Sequence, residues 1–180
     1  MVRVSLGLVQ LVLSIFLAVA AVFGTYRLFG RLKKTRAGYD LEDELKKGNA
    51  AVATLLTAVM VAVSVLVQES VYPVIGTLTI YLEDPSGSTV GLWGSLAICA
   101  GHLLLGFLLA AGSMEVASWI FQRLASRIDH EGEIQRGNVA AAFVMAGVIC
   151  VTTIYMRDGI SSVTKALIPR PALGAMQILR

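Results

Sequence analysis

The chain has 180 residues, 56% of them hydrophobic and 15% charged, with a mean hydropathy of +0.75 and a formal net charge of +3. A soluble domain carries about 25% charged residues, so the composition belongs to the membrane class and excludes an ordinary water-soluble domain. The small basic excess reads as an insertion signal and a lipid-headgroup contact; no nucleic-acid partner is expected.

Apolar runs cover residues 4–23, 50–67, 91–114 and 139–156. Each is near the ~20 residues that cross ~30 Å of hydrocarbon as a helix. The runs are continuously apolar and lack the alternation a closed barrel needs. The expected fold is an all-α integral membrane protein with four transmembrane helices. Arg3 before the first run and "AVA" at 18–20 imitate a signal peptide. The run exceeds the usual apolar region of 7–15 residues and is followed by a basic flank, so it is read as a retained helix.

Beyond the first run come Arg27, Arg31, Lys33, Lys34, Arg36, Lys46 and Lys47, and the loop after the third run holds Arg123, Arg127 and Arg136. The "YLEDPSGS" loop between the second and third runs has no Lys or Arg. The positive-inside rule makes the two basic loops cytoplasmic and places both termini outside.

The first basic loop ends in "LEDELKKGNAAVA", residues 41–53. Asp40 is a candidate N-cap, and acidic residues in the first turn suit the positive end of the helix dipole. A helix begun there is expected to run through Asn49 into the bilayer. From Asn49, helical spacing reaches Ala53, Thr57, Met60 and Ser64, a stripe expected to face the core. The segment after this crossing, "VYPVIGTLTIYLED", is too short to span again and contains Pro73.

In the third run, His102 lies roughly ten residues, about 15 Å, past the outer end, near the bilayer midplane. Helical spacing aligns it with Ser95, Cys99, Gly106 and Ser113. An intramembrane imidazole either bonds within a bundle or lines a proton or ion path, so Ser95, Cys99, His102 and Gly106 form a candidate polar path. Cys99 and Cys150 share a depth, so they are either bridged or, as free buried thiols, small apolar residues. Glu115 lies at the depth of Arg27, which suggests a salt bridge between Arg27 and Glu115 rather than a catalytic carboxylate. With two His in the chain, no clustered metal ligands are expected, and haem would need His102 from two copies. No cofactor is assigned.

The fourth run opens with "HEGEIQRGNVAAA", residues 130–142. A shift of 89 superimposes Glu42 on Glu131, Glu44 on Glu133, Lys47 on Arg136, Gly48 on Gly137 and Asn49 on Asn138. Too many residues match in order for coincidence. A unit of two crossings, copied, re-enters the membrane in the same direction. The expected halves, 1–89 and 90–180, are therefore two parallel-topology two-helix repeats about an axis along the membrane normal. Gly48 and Gly137 are read as permitting close helix approach, with Asn49 and Asn138 bonding across it; contact of the Asn pair with a ligand or ion is the other reading. The corresponding stripe in the fourth run is Ala142, Ala146, Ile149 and Thr153. The chain then continues into "DGISSVTKALIPRP", a short interfacial helix or an extension of the crossing, ending near Pro169 and Pro171.

The duplicated charged run followed by Gly-Asn-x-Ala-Ala resembles a bacterial inner-membrane family of unknown function, the one that includes the protein called YjfL. The resemblance implies an inner-membrane location and a duplicated four-helix fold, and no activity comes with it. The sequence carries no nucleophile elbow, phosphate-binding glycine loop or zinc spacing, and an enzyme is not expected. The expected function is structural or assembly-related, with membrane lipids and either further copies of the chain or another membrane protein as partners. The rival is an oligomeric channel or small-solute transporter whose path follows the His102 stripe.

Overall fold

The computed structural model describes residues 2–71, 74–75, 91–125 and 127–166. Its helices are α1 (Val2–Arg36), α2 (Leu41–Lys46), α3 (Ala50–Gln68), α4 (Gly91–Leu124), α5 (His130–Gln135) and α6 (Val139–Ala166). Among the described residues there is no strand, and α1, α3, α4 and α6 are long and apolar enough to cross a membrane. The all-α membrane fold with four spanning helices therefore holds.

The ends of the helices differ from expectation. Helix α1 continues to Arg36, so Arg27, Arg31, Lys33, Lys34 and Arg36 lie on helix rather than in a loop. Long cationic side chains keep high helix propensity and reach water from a helical stem. Basic residues in its last turn, Lys33, Lys34 and Arg36, also suit the negative end of the helix dipole. Helix α4 likewise runs past residue 114 to Leu124, and α6 past residue 156 to Ala166. Residues 158–166 are thus an extension of the crossing. Residues 76–90, Pro73, Pro169 and Pro171 lie outside the described residues.

Helix α3 is the centre. It packs against α1, α4 and most extensively α6, while α4 also packs on α6. Half of its apolar window is buried inside the protein, against 12% for α1. Its buried stripe is Val52, Leu55, Leu56, Val59, Val63 and Leu66, not the expected Ala53, Thr57, Met60 and Ser64, of which Thr57 is exposed. A helix pressed on three sides must fill the space between neighbours, and bulky apolar residues do so at native density. Thr57 faces outward at little cost because its hydroxyl donates to the Ala53 carbonyl at 2.8 Å. On α6 the expected stripe lies mostly inward: Ala142, Ile149 and Thr153 are buried.

Helix α3, with 19 residues, is about 28 Å long, while α1, with 35, is about 52 Å and must extend beyond ~30 Å of hydrocarbon. Exposed Trp93 and Trp119 lie near opposite ends of α4, about 39 Å apart along the helix, a spacing that suits the two interfacial aromatic belts.

Candidate functional site

Both copies of the Gly-Asn run build the same turn. Asp40 caps α2 by accepting from the Glu42 N–H at 3.0 Å, and Asp129 caps α5 by accepting from the Gly132 N–H at 3.1 Å. At the far end of α2, the Gly48 N–H donates to the Leu45 carbonyl and the Asn49 N–H to the Glu44 carbonyl. In α5, Gly137 donates to Ile134 and Asn138 to Glu133. This pair of bonds is the Schellman closure, which places its glycine in the left-handed region; Gly48 has φ +76° and Gly137 φ +88°.

The role expected for the two glycines is thereby corrected. A β-carbon added at Gly48 or Gly137 meets nothing within 4 Å, so neither admits a neighbouring helix. Each is glycine because an L side chain is strained at that φ. The helix also does not run through Asn49: it stops, turns and restarts.

Asn49 restarts it. Its Oδ1 accepts from the Ala51 and Val52 N–H groups at 3.1 and 3.2 Å, capping α3. Its Nδ2 donates to Glu44 Oε2 at 2.9 Å and crosses to the other half, to the Ile134 and Gln135 carbonyls at 3.3 and 3.0 Å. Both carbonyls lie at the C-terminal end of α5, where the Ile134 carbonyl also accepts from the Gly137 N–H. Asn138 caps α6 through the Ala140 and Ala141 N–H groups and donates to Glu133 Oε2 at 2.9 Å.

Each turn has a carboxylate at its hub. Glu44 accepts from Lys47 at 2.8 Å and Glu133 from Arg136 at 3.0 Å. Lys47 and Asn49 hold the Glu44 carboxyl below the usual range, and Asn138 and Arg136 do the same for Glu133. Asp40 is also lowered, by Lys34 and the Glu42 N–H. Buried Tyr39, beside Glu131 and Glu44, has its phenol raised above the ordinary value, chiefly by burial.

The expected pair of Arg27 and Glu115 is not formed. Glu115 instead meets Arg36 at 3.4 Å, and Arg27 lies over the Phe23 ring at 5.3 Å. Because α1 is one helix to Arg36, its last turn carries a cation to α4 that a loop would have released. Lys33, in the same turn, bonds Glu131 at the start of α5. One further contact and one cavity were not legible in the sequence. Buried Glu69 accepts from Arg157 Nε at 2.6 Å, tying the C-cap of α3 to the second half of α6; no motif spacing marks it, although apolar runs ending in opposite charges are its signal. Between α1 and α4 lies a cavity of about 250 Å³, backed by α3 and α6.

The stripe on α4 faces inward. Ser95, Cys99 and His102 are buried. The Cys99 thiol lies 3.8 Å from the Val74 carbonyl, and a side chain at Gly106 would collide with the Ser70 hydroxyl. Residues after α3 therefore cover the stripe from within the chain. His102 Nδ1 is 2.9 Å from the Ile98 carbonyl, so it carries the proton, while buried Nε2 and the buried Ser70 hydroxyl have no partner. Cys99 and exposed Cys150 are both free thiols. Among the described residues no three His, Cys, Asp or Glu side chains converge on one point.

No curated protein and no solved structure matches the chain. A family model described as a Domain of Unknown Function (DUF350) matches residues 1–71 and 90–179. Each matched segment contains one Gly-Asn turn and the long helices on either side of it, and on that match the chain belongs to the DUF350 family.

Proposed function

We propose that this is a bacterial inner-membrane protein with both termini outside, acting as a structural or assembly component. In this reading it forms a homo-oligomer or docks on another membrane protein, and its two halves are related by an axis along the membrane normal. The observation that carries the reading is the Asn49 side chain, which caps its own helix and bonds the other half at once. Such a joint holds two hairpins as one unit and offers no reacting group. The clamp reading of Gly48, Asn49, Gly137 and Asn138 is kept for Asn49 alone; Asn138 caps α6 within its own half, and the two glycines form the turns. The basic end of α1 and the two turns then lie at the cytoplasmic surface. Reporter fusions at residues 38, 86 and 180 test the orientation: a cytoplasmic signal at 86 would overturn it.

One observation favours the rival conduit. Buried and unpartnered, His102 Nε2 and the Ser70 hydroxyl border a polar spot within an apolar bundle, as groups serving water or an ion do. Because residues 70 and 74 cover the stripe, such a path would run inside one chain rather than among several. Reconstituted vesicles decide between the readings. The scaffold predicts no flux dependent on pH, and His102→Gln leaves permeability and complex mass unchanged. A pH-gated conductance lost in His102→Ala, with assembly intact, reverses the conclusion.

A further inference from the structure

The cavity between α1 and α4 has a shape and a chemistry that the scaffold reading does not use. On α1 its wall runs from Thr25 to Arg36 and on α4 from Ala111 to Gln122, in each case twelve residues, or about 16 Å of helix rise from first to last. A space of about 250 Å³ drawn out over that length is a narrow slot. It falls below the ~300–1,000 Å³ of pockets for drug-sized molecules, and its length suits an extended chain better than a ring system. The inner walls are apolar, among them Leu28, Val59, Met114 and Ile149.

At its mouth the polarity reverses. Lys33, Arg36, Glu115 and Glu131 all line the opening, two cations and two carboxylates with no net charge. Lys33 and Glu131 are tightly paired and mostly shielded. Arg36 and Glu115 are not: they stand 3.4 Å apart, and the Arg36 side chain is 63% exposed. Both also line a shallow outer depression with Val116 and Trp119, so the slot opens onto the surface through this loose pair. Inside, the buried Thr25 hydroxyl borders the slot without a partner. Trp119, 54% exposed, stands where an indole marks the headgroup level.

We propose that the slot holds one acyl chain of a phospholipid whose headgroup combines a phosphate with a primary amine. Arg36 donates to the phosphate in the fork geometry that guanidinium groups offer, and the ammonium donates to Glu115. Charge complementarity selects this headgroup. An anionic lipid without an amine would satisfy Arg36 and leave its charge facing Glu115 and Glu131, while a choline headgroup has no N–H to give a carboxylate. The proposal stands whether the bundle is a scaffold or a conduit.

The chain contains two tryptophans, so Trp93→Phe leaves Trp119 as the only indole reporter. The full-length variant is placed in phosphatidylglycerol vesicles containing increasing fractions of phosphatidylethanolamine brominated on its acyl chains. Trp119 quenching is expected to reach its plateau at a several-fold lower fraction than in the reverse experiment, brominated phosphatidylglycerol in phosphatidylethanolamine. Arg36→Ala with Glu115→Ala, which removes both headgroup partners together and leaves no unpaired charge between them, is expected to abolish the difference while helicity by circular dichroism is kept. Ser118→Phe, which fills the slot, is expected to remove the early plateau while helicity by circular dichroism is kept. Quenching that rises in proportion to brominated lipid, equally for both headgroups, would mean ordinary surrounding lipid and overturn the proposal. Preference for phosphatidylglycerol would overturn it in favour of an anionic ligand.

Discussion

Asn49 and Asn138 occupy equivalent sequence positions and cap equivalent helices, but Asn49 bonds the other half while Asn138 bonds Glu133 in its own. Replacing an N-cap by Ala costs about 0.5–2 kcal/mol. Asn138→Ala should sit near the middle of that range, and Asn49→Ala at or above its top, because it also removes the bonds to the Ile134 and Gln135 carbonyls, of which Ile134 keeps its Gly137 donor. Thermal unfolding in detergent checks the order; equal losses would show that the bonds between halves contribute nothing. Gly48→Ala and Gly137→Ala should each cost about 1–2 kcal/mol from φ strain alone, with no change in how closely the helices approach. The depressed Glu44 and Glu133 carboxyls set an acid limit. A lowered folded pKa gives stability that is present above the unfolded value, ~4.3 for Glu, and is lost as pH falls through the folded value. The melting temperature should therefore be flat from about pH 8 to 5 and drop below that range, and Glu44→Gln with Glu133→Gln should flatten the drop. The doubled Gly-Asn pair stood out from the sequence, whereas the reason for its glycines did not. Gly near a helix end signals both close packing and a left-handed closure, and only φ tells them apart.

Among the helices, spans were legible and ends were not. Hydrophobic runs located all four crossings because transfer free energy is read directly from composition. Where α1 stops was hidden, since Arg and Lys are good helix formers and a charged run reads equally as loop or as helix outside the bilayer. That shift of boundary is why Glu115 pairs with Arg36 and not with Arg27. Arg27→Ala should change stability by less than about 0.5 kcal/mol, and Lys33→Ala, which breaks the shielded contact with Glu131, by more, toward the ~1 kcal/mol upper end of measured ion pairs. Unfolding in detergent separates them, and a larger effect at Arg27 would contradict the continuous α1. The inward rotation of the α3 stripe was hidden for a related reason. Small residues at helical spacing suit a two-helix contact, but α3 meets three helices and buries its large side chains instead.

Taken as a whole, the molecule leaves much apolar surface outside its own core. Leu11, Phe16, Val19 and Phe23 on α1 and Phe143, Val151 and Ile154 on α6 are exposed, and in a bilayer these faces meet lipid or another protein. Membrane embedding was legible from composition, because a chain this apolar has no other solvent. What touches those faces was not, because lipid tails and a neighbouring helix are equally apolar. The expectation that they carry further copies or a membrane partner rests on the structural role proposed for the bundle. Extracting the protein directly into native nanodiscs and weighing the particle by mass spectrometry addresses it. An integer multiple of the 19.2 kDa chain, or the chain with a second protein in fixed ratio, is the predicted result; one 19.2 kDa chain alone in its lipid, unchanged across expression levels, would contradict it.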